Sequence, residues 1–110
     1  MPLNWVALRG QIPALVEAEQ ARRLRLAEQA TQVAEALSAD AGADPQTALA
    51  WLGTAMRAWE AVLEVYPEHS PRHLAALQQR AALQATLLAR LRLAEGGEEA
   101  AGARGPEGGA

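Results

Sequence analysis

Apolar side chains recur along this chain at spacings of three and four residues. One series runs from Ile12 through Leu15, Leu26, Ala30 and Val33 to Leu37. A second takes in Leu49, Trp51, Leu52, Met56, Trp59, Val62, Leu63, Val65 and Tyr66. A third carries Leu74, Leu77, Ala81, Ala85, Leu88 and Leu91. That period belongs to amphipathic α-helices.

Punctuation places the ends. Asp44-Pro45 and Ser70-Pro71 each set a capping oxygen directly before a proline. The cap side chain accepts from a free N–H of the first turn, and proline has no N–H to leave unpaired there. Pro13 predicts an earlier start of the same kind, leaving Met1 to Gly10 as a short separate turn. Helices over about 13–41, 45–66 and 71–95 follow, stopped by Ala41-Gly42, Pro67 and Gly96-Gly97. Connections of a few residues make sequential helices antiparallel neighbours. The expected fold is all-α, an up-down-up three-helix bundle forming a single domain over residues 1–95. Residues 96–110 hold no large apolar side chain. Too little burial is available there to offset ordering entropy, so a disordered tail is expected.

The faces assign the roles. In the second helix Gln46, Ala50, Gly53, Arg57, Glu60 and Glu64 make a polar strip, and the rest is apolar over roughly 200°. A helix apolar over that width touches two neighbours, which makes it central. In the first helix Glu19, Arg22 and Arg23 interrupt the seam, spaced to pair with one another. The third helix has a second stripe of Ala76, Leu83, Leu87 and Ala94, with Arg80 between. Two stripes exceed what a terminal helix needs, so the second is expected to be covered by something else.

Composition strengthens the helical reading: 27 alanines and 16 leucines stand against five valines, one isoleucine, one tyrosine and no phenylalanine. The absence of cysteine removes disulfides, thiolate nucleophiles and cysteine-held metals. A net charge of −3 gives no bulk attraction to nucleic acid or anionic membrane. All ten basic residues are arginine, which fits a GC-rich bacterial or phage genome. No stretch reaches the roughly 20 apolar residues of a membrane span. Nor does a basic segment followed by a long apolar run suggest a secretory signal, so a cytoplasmic location is expected.

Candidate chemistry is sparse. His69 and His73 are four apart with Glu68 adjacent, but the start at Ser70-Pro71 falls between them and separates their faces. No metal site is expected. Glu60 and Glu64 lie on the polar strip beside Arg57, where nothing raises a carboxyl pKa. The few serines and threonines show no histidine and carboxylate placed for a triad, and no phosphate loop follows a strand. No catalytic residue, cofactor or small-molecule substrate is expected. Between His69 and Ala94 there are four arginines and no acid. Arg72, Arg80 and Arg90 are therefore the nucleic-acid candidates, although on the helical wheel they scatter.

The stretch Ala55-Met56-Arg57-Ala58-Trp59-Glu60-Ala61-Val62-Leu63-Glu64-Val65-Tyr66-Pro67 resembles the second helix of a tetratricopeptide repeat through Ala55, Trp59 and Pro67. The window before it holds Gly42 and Asp44-Pro45 in place of the repeat's first helix, and no 34-residue period appears. Trp51-Leu52-Gly53 is similar to the Trp-x-Gly turn of small secreted helical hairpins, but it falls inside the second helix. Neither likeness assigns a family.

The sequence therefore points to a non-catalytic protein-protein interaction or assembly subunit, either a homo-oligomer or a component of a larger complex. The motive is surplus apolar surface. Trp5, Leu24, Trp51, Leu83 and Leu87 are the expected partner contacts, since aromatic and apolar side chains outside a core favour interfaces. The alternative is a nucleic-acid-associated helical subunit using the third helix.

Overall fold

A computed structural model describes the backbone of residues 5–108 and the side chains of residues 12–95. Three helices form: α1 (Trp5–Ala39), α2 (Pro45–Val65) and α3 (Pro71–Gly108). Among the described residues there is no strand, and no helix is long and apolar enough to cross a membrane.

The two Xaa-Pro starts form as the sequence predicts. Asp44 sits in extended backbone and accepts from the Thr47 amide at 3.2 Å and the Thr47 hydroxyl at 2.9 Å. Ser70 Oγ accepts from the His73 amide at 3.2 Å. Caps of this kind contribute about 1 kcal/mol each. The residue before Ser70, His69, takes a left-handed φ of 69° as the chain reverses into α3.

The predicted stops behave differently. Helix α1 begins at Trp5 and runs through Gly10 and Pro13, so Trp5 to Gly10 belong to it and not to a separate turn. Pro13 removes one hydrogen bond to the Arg9 carbonyl, while the turns on either side keep theirs. At its other end α1 stops at Ala39, before Gly42. Asp40 makes that stop, its carboxylate accepting from the Gly42 amide at 2.9 Å and its carbonyl from the Ala43 amide at 3.1 Å. Helix α3 likewise continues beyond Gly96-Gly97 to Gly108. A glycine ends a helix by taking a left-handed conformation, and among the described residues none does. The tail expected over 96–110 is thus helical backbone as far as Gly108; its side chains lie outside the described residues.

Helix α2 is central. Ala48, Leu52, Ala55, Trp59 and Val62, spaced four and three apart, are buried along it. Helices α1 and α3 each pack on α2, and among the described residues their backbones do not approach one another. Gln20, Arg23 and Thr31 of α1 meet Val65, Ala61 and Trp59 of α2, so the partners run in opposite order. Helix α2 is only 21 residues long, about 32 Å. Since Gln20 already meets its last residue, Ile12, Leu15 and Val16 lie past its end and are exposed.

Helix α3 turns a different face inward from the one expected, and α1 is rotated so that Ala30 of the expected seam stays inside while Leu26 and Val33 leave it. Helix α1 buries Ala27, Ala30, Thr31 and Ala34 and leaves Leu26 and Val33 exposed. Helix α3 buries Ala76 and Leu83, with Leu87 packed beside them, and exposes Leu74, Leu77, Leu88 and Leu91. The reason is volume. Trp59 and Leu52 project from α2, and close approach of the backbones requires small residues opposite them. Ala27, Ala30 and Ala34 supply these on α1, and Ala76 on α3.

Candidate interaction surface

The polar residues that interrupt the α1 seam sit against the C-terminal end of α2. That end carries no basic residue of its own, and its last carbonyls lack intrahelical donors. Gln20 Nε2 donates to one of these, the Val65 carbonyl, at 2.7 Å, and Arg23 Nη1 adds a second donor to the Ala61 carbonyl one turn earlier at 2.9 Å. The cation also lies where the α2 dipole is negative. The end of α1 is treated alike: Arg90 of α3 donates to the Ser38 carbonyl. Each of these helices has its C-terminus served by an arginine from a neighbour.

Glu19 holds this cluster together. Arg22 contacts both its oxygens at 2.9 and 2.6 Å, and Arg23 Nε donates to it at 2.7 Å. Hydrogen bonds from Arg22 and then Arg23 lower its pKa from the ordinary 4.5 to about 2. A depressed carboxyl pKa favours the folded state above the unfolded value, and the benefit fades as pH falls toward the folded one. Wild type should therefore melt above Glu19→Gln at pH 6, with the gap closing between about pH 4.5 and 2. Thermal melts of the two proteins across that range test this, and a constant gap would refute it.

Beside the cluster runs an open, mostly apolar groove between α1 and α2. Leu26, Gln29, Ala30 and Val33 form one wall; Trp51, Thr54 and Ala58 form the other, enclosing about 490 Å³. A second depression, lined by Arg22, Arg23, Leu26, Ala58, Ala61 and Glu64, shares Leu26 and Ala58 with it, so the two adjoin. Leu26, Val33 and Trp51 are 46, 38 and 36% exposed. A separate apolar strip of Leu74, Leu77, Leu88 and Leu91 lies on α3.

Of the expected contact residues, Trp51 lies in the groove. Leu83 is buried and Leu87 and Leu24 pack against the core, because the faces they occupy are the ones α2 covers. The Trp5 side chain is outside the described residues. Of the arginine candidates, Arg80 donates to Glu60 at 3.1 Å and Arg90 to Ser38, while Arg72 is exposed at the start of α3. The three do not form one surface. His69 is exposed in the turn and His73 is half-buried in the first turn of α3. No group of three metal-ligating side chains gathers among the described residues.

Sequence reading overlooked Thr31. Its hydroxyl accepts from Trp59 Nε1 at 2.7 Å and donates to the Ala27 carbonyl at 2.8 Å, so the buried indole is satisfied. A threonine inside a run of alanines at helical spacing was the available signal. The Glu60–Arg80 pair had no such signal, since it depends on how α3 is rotated. Comparison of the chain with protein-family models, curated proteins and solved structures finds no match.

Proposed function

We propose that this protein is a non-catalytic interaction or assembly subunit, an up-down-up helical scaffold that presents apolar surface to another protein. The observation that carries the reading is the exposure of Leu26, Val33 and Trp51 on one surface and Leu74, Leu77, Leu88 and Leu91 on another. Exposed side chains gathered in strips, rather than scattered singly, mark contact sites. The nucleic-acid alternative loses ground because Arg80 and Arg90 are occupied inside the fold. The tail beyond residue 95 adds no large apolar side chain to either surface.

The test combines sedimentation velocity over a wide concentration range with affinity capture from the native host. Wild type is compared with a variant carrying glutamate at Leu26, Leu77 and Leu88. The expected result is a stoichiometric complex, with itself or another protein, that the variant fails to form while keeping its helical spectrum. A strict monomer that retains nothing in both forms refutes the reading.

A further inference from the structure

The α1–α2 groove has an apolar lining, a length and a charge, and together these select an occupant. The apolar lining is Leu26, Ala30, Val33, Trp51 and Ala58. From Arg22 to Val33 it follows α1 for about 16 Å, three helical turns. An amphipathic helix with apolar anchors at i, i+4, i+7 and i+11 spans that distance. The rim is cationic. Arg25 is exposed on α1 between Arg22 and Gln29, and Arg57 is exposed on α2, with Nη2 3.4 Å from Thr54 in the groove wall. Neither meets a carboxylate among the described residues. The acids at the far end are engaged, Glu19 with Arg22 and Arg23, and Glu64 with Arg23 at 3.6 Å. No acid lines the Trp51 end.

We infer that this groove receives an amphipathic helix from another protein, one whose apolar face is flanked by acidic side chains. The inference rests on the interaction reading above and names the partner's chemistry. A second copy fits less well. The exposed strip of α3 lies in a segment with no acid, so it offers no carboxylate to the rim arginines.

A synthetic helix with leucines at i, i+4, i+7 and i+11 and glutamates flanking them serves as the probe, with a lysine-flanked version as control. Titration calorimetry at low salt should show the glutamate peptide binding at least about ten-fold tighter. Arg25→Glu combined with Arg57→Glu should reverse that order. Both positions are exposed, so this variant keeps the fold. Trp51→Ala should weaken binding about ten-fold or more. Equal binding of the two peptides, or binding indifferent to these changes, overturns the inference. So does self-association that Trp51→Ala abolishes, since the occupant would then be a second copy. If the Leu77 and Leu88 changes abolish capture of a partner while the groove variants do not, the interaction reading stands and this inference fails.

Discussion

Replacing Trp59 by alanine is expected to lower the unfolding free energy by about 3–5 kcal/mol. The core explains why one side chain has such weight. Most of its members are alanines, and the largest fully buried side chains are Leu52 and Val62. Trp59, 6% exposed, is the one large aromatic in the cluster, and it joins α2 to α1 through Thr31. Domains of this size are stable by about 5–15 kcal/mol, so the loss takes much of the total. A graded companion is Thr31→Val, which keeps the volume but leaves the indole N–H unpaired, at about 1–3 kcal/mol. Urea unfolding followed by far-ultraviolet circular dichroism measures both. A Trp59→Ala midpoint close to wild type would show that the alanine seam holds the helices without the indole.

The second large effect concerns the rotation of α3. Leu83 is 5% exposed and Leu88 43% exposed, five residues apart on one helix. Leu83→Asp places an unpaired carboxylate against Leu52 and its neighbours and should cost more than about 4 kcal/mol. Leu88→Asp enters solvent and should stay within about 0.5 kcal/mol. The same measurement on both proteins decides the matter. If Leu88→Asp is the damaging change, α3 packs through Leu74, Leu77 and Leu91, and the strip assigned here to a partner is core.

The arginines illustrate how far charge can be read without a fold. Four arginines and no acid between His69 and Ala94 suggest a basic surface. Two of them instead reach across to other helices, Arg80 to a carboxylate and Arg90 to the end of α1. Likewise Glu19, Arg22 and Arg23 are spaced to satisfy one another, and they do. The further role of Arg23 at the α2 terminus needed the two helices brought together, because Ala61 is far away along the chain. The groove residue Trp51 is legible in the sequence as an expected partner contact, whereas Leu26 and Val33 belong to the apolar series of α1 and carry no such signal.

What this sequence determines by itself is local. Alanine and leucine content makes helices, Asp44-Pro45 and Ser70-Pro71 start two of them, and the broad apolar face of α2 puts it between two neighbours. Each of these depends on residues within a turn or two of one another. Which stripe of α1 and of α3 turns inward is decided only by tertiary structure. Transfer free energy alone favours the stripes richer in leucine and valine, at about 0.8 kcal/mol per buried CH₂. Fit makes the choice: alanines beside Trp59 allow close packing, and the rejected leucines are left outside.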